Sequence, residues 1–143
     1  KSSWQIEVDT SFRQVSHHCA VTPRKGQHGT WIHPEMIDAY VHLHHRGHAH
    51  SVEVFSDENL IGGIYGIAIG RMFFGESMFS RETDASKVCL VHLVERLRER
   101  GFELLDTQFT TEHLKRFGAI DVPRKRYEKL LADAMMGEPA MFG

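Results

Sequence analysis

Glu76 stands inside RMFFGESMF (71–79), a run that otherwise reads as a buried strand. An unpaired buried charge costs several kcal/mol even after relaxation, a large part of a total stability of roughly 5 to 15 kcal/mol. Two readings satisfy that carboxylate. Either it is an edge-strand carboxylate or one paired with nearby Arg71 or Arg81, or Gly75 beside it admits a β-bulge that turns it into a cleft. A second group of polar residues lies in FELLDTQF (102–109). Strand alternation puts Leu104, Asp106 and Gln108 on one face and Leu105, Thr107 and Phe109 on the other, with residues two apart separated by about 6.6 Å. A carboxylate and an amide so placed, beside an apolar wall, can orient a polar ligand or can simply face water.

The histidines ask a different chemical question. The sequence holds 11, five of them in HLHHRGHAH (42–50), and dense imidazoles can bind metal. Yet His44 and His48 straddle the helix stop expected at Gly47, and no Cys, Asp or Glu follows at a zinc-site spacing. A solvated helix end with cations near its dipole accounts for the tract, and no metal is expected. His50 opens a strand and reads as a satisfied, half-buried histidine.

The elements that must position these groups follow from periodicity and stop signals. Pro34 to His45 reads as a helix, with Pro at its first turn, Met36, Ile37, Tyr40, Val41 and Leu43 apolar, and Gly47 beyond its end. AHSVEVF (49–55), LIGGIYGIAI (60–69) and RMFFGESMF (71–79) read as an antiparallel meander. DASKVCLVHLVERLRERG (84–101) is the clearest helix, with Val88, Val91, Val94 and Leu97 widened by Leu90 and Leu93. After the strand at 102–109 come a short helix in TTEHLKRFG and a last helix starting at Pro123. Thr22 to Thr30 is a loop, and Trp31, Met72, Phe73, Phe74 and Met78 are most economically core. The sum is a mixed α/β domain, a mostly antiparallel sheet with helices on its faces.

Composition sets the outer limits. At 143 residues, 41% hydrophobic and 25% charged, the chain suits one domain with a real core, and no stretch approaches the ~20 apolar residues of a membrane span. Cys19 in a polar segment and Cys89 in an apolar helix suggest no disulfide framework, so a reducing, cytoplasmic setting is expected. Net charge is −2 with the basic residues dispersed, so nucleic-acid binding by phosphate neutralisation would have to be local. The opening KSSWQIEVD lacks an initiator Met and enters a strand-like run within four residues, which suggests an excised piece.

GTWI (29–32), AYVHLHHRGHAHSVEV (39–54), LIGGIYG (60–66), FFGESMFSR (73–81), ASK (85–87), LLDTQ (104–108) and GAIDVPRKRY (118–127) together closely resemble bacterial leucyl/phenylalanyl-tRNA–protein transferases. The resemblance implies an acyl-CoA N-acyltransferase-like (GNAT) fold. It implies an enzyme without a cofactor that moves Leu or Phe, and less well Met, from the 3′ end of aminoacyl-tRNA to proteins with N-terminal Arg or Lys, for N-end rule degradation. Asp106 and Gln108 match the family's catalytic Asp and Gln, Glu76 its active-site Glu, and Trp31 the aromatic near the terminal adenosine. Ile64, Phe73, Leu90, Leu93, Leu97 and Leu105 fall at positions lining the pocket for the transferred side chain. The family carries a further N-terminal domain, so residues 1–143 are expected to be its catalytic domain alone. The rival readings are an acetyl-CoA-dependent N-acetyltransferase and a noncatalytic binding module of the same fold. Against the first, no glycine lies between Gly75 and Gly101 to form a pyrophosphate-cradling turn.

Overall fold

The computed structural model describes residues 4–21, 34–107 and 123–143. In chain order these form β1 (Trp4–Val8), α1 (Phe12–Val21), α2 (Pro34–His45), β2 (Ala49–Ser56), β3 (Asn59–Ile69), β4 (Met72–Ser80), α3 (Ala85–Glu99), β5 (Leu104–Thr107) and α4 (Arg124–Met135). The strands make one sheet in the order β1-β2-β3-β4-β5. The first three pairings are antiparallel and β4–β5 is parallel, the one connection that needs a crossover, which α3 provides.

Side-chain alternation sorts the sheet into two layers. On one side Val52, Val54, Ile61, Ile64, Phe73 and the α3 residues Ala85, Cys89, Leu90, Leu93 and Leu97 form one apolar cluster, with Leu105 and Met78 packed against it. On the other, Tyr65, Phe79 and Ala49 pack on Phe12, Val15 and Cys19 of α1 and on Ile37 and Val41 of α2. The parallel register pairs Phe73 with Leu105 and Phe74 with Asp106, so Asp106 faces away from α3.

The observed boundaries follow the sequence expectation closely for α2, β2, β3, β4, α3 and the last helix. Three places differ. Residues 12–21 form a helix on which Cys19 is buried (2% exposed), so its segment is not a polar one facing solvent. The fifth strand starts at Leu104 because Gly101, at φ 83°, closes α3, with the Phe102 amide donating to the Leu97 carbonyl at 2.9 Å. Within α3, Leu90, Leu93 and Leu97 are buried while Val91 is 40% exposed, so the leucines carry the packing. The short helix expected in TTEHLKRFG and the loop expected from Thr22 lie outside the described residues.

Candidate active site

The strand pair β3–β4 loses its regular register beside Glu76. Tyr65 pairs with Ser77 and Gly66 with Gly75, so one step along β3 spans two along β4, and Glu76 is the extra residue of a bulge. Gly66 permits the close approach: a Cβ there would overlap the Phe74 carbonyl oxygen and the Phe73 ring. Of the two sequence readings, the bulge is the one observed.

The partner of Glu76 is neither Arg71 nor Arg81. Tyr40 of α2 donates its hydroxyl proton to Glu76 Oε1 at 3.0 Å, and its ring rests edge-on against Tyr65, centroids 5.5 Å apart. Arg71 is committed elsewhere, to Glu103 Oε2 at 2.6 Å and to carbonyls at the end of α4. Burial, then the adjacent Glu76 charge, pushes the Tyr40 hydroxyl up to about 12, so it stays a proton donor at neutral pH.

Asp106 has the same kind of partner. Tyr127 of α4 donates to Asp106 Oδ2 at 2.7 Å, and desolvation together with that bond raises the phenol to about 12. Both carboxylates therefore lie on the sheet side away from α3, Glu76 against α2 and Asp106 against α4. The last described β4–β5 pair is Gly75 with Thr107, so Glu76 is the first residue of β4 beyond that pairing. One inter-strand spacing across and two residues along puts the two α-carbons about 8 Å apart. Among the described residues neither carboxylate has a cationic partner. Two half-buried carboxylates bonded to phenols can receive a cationic group, because a phenol hydrogen bond does not cancel a carboxylate's charge.

The apolar positions named from the sequence lie together on the opposite layer. Ile64 (1% exposed), Phe73 (1%), Leu90 (4%), Leu93 (1%) and Leu97 (5%) are buried in the α3 cluster, and half-buried Leu105 packs against it from the edge strand. Met72 is buried and Phe74 and Met78 half-buried, whereas Trp31 and Gln108 lie outside the described residues. The residues that sequence reasoning passed over are the two phenols. Tyr40 was legible only as part of the apolar stripe of α2, and Tyr127 as the last residue of GAIDVPRKRY.

The histidine tract is structural where it is buried. His50 has its Nδ1 at 2.8 Å from Asp9 Oδ2 and its Nε2 at 3.0 Å from the Gly47 carbonyl, and it stacks on Phe142 with centroids 4.3 Å apart. His44, expected to be solvated, is instead half-buried, stacked on Phe12 and bonded through Nδ1 to the Ala49 carbonyl at 2.9 Å. A groove of about 370 Å³ lined by Trp4, Ile6, Asp84, Val88 and His92 opens at β1, the edge of the sheet remote from Asp106. At the start of α3, the Ser86 amide is taken by Ser80 Oγ at 3.2 Å and Lys87 pairs with Asp84 at 3.0 Å, so the chain's own groups occupy the turn where an acetyltransferase would cradle pyrophosphate.

Comparison with known proteins adds three findings. A family model described as leucyl/phenylalanyl-tRNA protein transferase matches residues 1–132. The leucyl/phenylalanyl-tRNA–protein transferase of Rhodopseudomonas palustris (strain HaA2) is 53% identical over 135 residues, which cover 94% of this chain and 60% of that relative. The chain thus spans about three fifths of the length of the curated relative it matches. Among solved structures, an aminoglycoside acetyltransferase from an uncultured soil metagenomic sample, in complex with sisomicin, has a TM-score of 0.61 at 12% identity, over 85% of this chain and 93% of that one. An acetyltransferase of the GNAT family from Staphylococcus aureus has a TM-score of 0.55 at 13% identity, over 80% and 79%. At such identities the likeness is one of fold, and the fold is that of the GNAT acetyltransferases.

Proposed function

The chain belongs to the leucyl/phenylalanyl-tRNA protein transferase family, and from that premise we propose that it is the catalytic domain of an aminoacyltransferase. It moves Leu or Phe, and Met less well, from aminoacyl-tRNA to the α-amino group of proteins with N-terminal Arg or Lys, marking them in the cytoplasm for N-end rule degradation. The observation that supports this reading best is the pair Glu76 and Asp106, each held by a phenol and neither neutralised by a cation among the described residues. A basic amino-terminal residue brings two nitrogen centres to such a pair.

The reaction is aminolysis of an ester. The amine nitrogen forms a bond to the aminoacyl carbonyl carbon, the carbon–oxygen bond to the terminal ribose breaks, and the proton lost by the amine ends on the departing ribose oxygen. An α-amino group titrates at about 7.7 to 8.0, so roughly a tenth to a fifth is free base at pH 7 and no strong base is required. Gln108 accepts a hydrogen bond from the attacking amine, while Asp106 orients Gln108 and accommodates the positive charge developing on nitrogen. Glu76 receives a cationic group, the acceptor's basic side chain or the α-ammonium of the ester. Orientation supplies much of the rate, since effective molarities of well-placed groups reach about 10⁵ to 10⁸ M.

Ile64, Phe73, Leu90, Leu93, Leu97 and Leu105 receive the transferred side chain as an apolar wall in this reading, and Trp31 takes the terminal adenosine. This requires the side chain to pass the β5 edge at half-buried Leu105, because these wall residues lie on the α3 face and Asp106 and Glu76 on the other. A missing methylene in such a wall is worth only about 1 to 3 kcal/mol, so Met is discriminated against incompletely, while a charged side chain is excluded by its desolvation cost. The test is a transfer assay on the full-length protein with Phe-charged tRNA and a peptide beginning with Arg. Peptide gaining Phe is the expected result; a peptide that is instead acetylated from acetyl-CoA, with no Phe transferred, would overturn the proposal.

A further inference from the structure

We infer that Tyr127 is a positioning residue for the transfer reaction, its hydroxyl fixing one oxygen of Asp106 so that the other is held toward the reacting amine. This rests on the proposed function, in which Asp106 is catalytic, and goes beyond it by assigning work to a residue that acts through Asp106.

The geometry begins at the far end of α4. That helix is weakly packed: only Ala134 is buried, and no side chain caps its N-terminus. Its position is fixed by Arg71, which leads into β4. The Arg71 amide donates to the Ala134 carbonyl at 2.8 Å, and its guanidinium donates to the carbonyls of Asp133 at 2.6 Å, Glu138 at 3.3 Å and Met136. The same guanidinium donates to Glu103 Oε2 at 2.6 Å, and the Glu103 amide returns a bond to the Arg71 carbonyl at 2.7 Å. Arg71 thus ties the C-terminal end of α4 to the residue just before β5.

The second tie is Tyr127 to Asp106, and the two ties are spaced to match. From Ala134 back to Tyr127 is seven residues of helix, about 10.5 Å at 1.5 Å each. From Glu103 forward to Asp106 is three residues of strand, about 10 Å at 3.3 Å each. Helix and strand thus rise by about the same length between two ties, Arg71 at one end and Tyr127–Asp106 at the other.

The phenol is a donor of fixed sense. A carboxylate can only accept, so the phenol proton points at Oδ2, and a hydroxyl pushed up to about 12 keeps that proton at any pH where an amine acyl transfer proceeds. Asp106 Oδ1 has no hydrogen-bond partner among the described residues. The tie removes one rotational freedom of the carboxylate and leaves its second oxygen for the reaction. Misplacement by 1 Å at such a group can cost about 10²-fold in rate.

The test is a double-mutant cycle in the full-length enzyme, with kcat and both KM values measured for Phe-charged tRNA and an Arg-starting peptide in wild type, Tyr127→Phe, Asp106→Asn and the double variant. Tyr127→Phe removes one oxygen from a half-exposed ring, and its melting temperature is measured alongside. The expected result is a kcat lower by about 10- to 100-fold in Tyr127→Phe with both KM values within about twofold, and less than about threefold further loss when the change is added to Asp106→Asn. A wild-type kcat in Tyr127→Phe, or the same fold loss on either background, would overturn the inference while leaving the catalytic role of Asp106 intact. A wild-type kcat in Asp106→Asn would instead remove the assignment of Asp106, and this inference with it.

Discussion

On the α3 side of the sheet, Val52, Val54, Ile64, Phe73, Cys89, Leu90, Leu93 and Leu97 pack as a continuous apolar cluster. Across the sheet the same strands bury Ser51, Glu53 and Ser77, and carry the Tyr40–Glu76 and Tyr127–Asp106 pairs. Glu53, fully buried, has no cationic partner among the described residues. Its Oε1 accepts from the Thr10 amide at 3.2 Å and from Thr10 Oγ1 at 3.1 Å, and its Oε2 faces Ser51 Oγ. Burial raises its carboxyl above the ordinary range against the pull of those bonds. Apolar burial gives non-directional cohesion, about 25 cal/mol for each Å² removed from water, and the polar groups of the α1/α2 side give directions in which a hydroxyl or carboxylate must point. The α1/α2 side adds these directed polar groups to an apolar cluster of its own, built on Phe12, Val15, Ile37, Val41, Tyr65 and Phe79, so the carboxylates are placed beside that core without interrupting the one under α3.

Three substitutions sharpen that contrast, the largest effect first. Asp106→Ala on the polar side is expected to lower kcat by about 10² to 10⁴-fold, with aminoacyl-tRNA binding little changed. Turnover at the wild-type rate in a transfer assay, beside a separately measured tRNA affinity, would break the contrast at its functional end. Leu93→Ala on the apolar side is expected to cost about 2 to 5 kcal/mol in urea unfolding. The same cavity enlarges the wall proposed for the donor side chain, so competition between Leu- and Phe-charged tRNA should shift toward Phe. An unchanged ratio with the full stability loss would mean that the cluster is core and nothing more.

The smallest effect belongs to Glu53→Gln. Because the folded-state carboxyl lies above its ordinary value of 4.5, the proton is bound more tightly in the folded than in the unfolded chain. The stability this confers is complete below about 4.5 and is lost as the pH rises through the folded-state value. Gln cannot ionise and still accepts from Thr10, so the variant should gain on wild type between pH 4 and pH 8, on the order of 1 kcal/mol, the middle of the range for single substitutions. Urea titrations at the two pH values check the sign, and a variant that loses ground as pH rises would contradict it.

How far the sequence disclosed this molecule depended on the range of the interactions. The meander, α2 and α3 are local patterns of apolar residues and stop signals, and they were legible. The bulge at Glu76 was legible only as one of two readings, because a glycine next to a charge inside an apolar strand is a local contradiction that an edge position or an arginine partner would equally resolve. Helix α1 was not, because FRQVSHHCAV buries Ser16 and Ala20 along with Phe12, Val15 and Cys19, and small or polar buried residues blur the helical period. The start of β5 was missed by two residues because the closing turn of α3 consumes Phe102. The phenols escaped for a different reason: Tyr40 meets a residue 36 positions away and Tyr127 one 21 positions away, and nothing local to either announces such a partner.

The bulge has one more effect, on counting. Phe73 and Phe79 are six residues apart in one strand and ought to share a face, yet Phe73 belongs to the α3 cluster and Phe79 to the cluster around α1 and α2. Between them β4 slips by half a period at Glu76. Flattening the bulge with the residue retained would send Met78 and Phe79 each to the other's layer, whereas deleting Glu76 would restore strict alternation with both left where they are, so the extra residue resets the phase of the side chains beyond it.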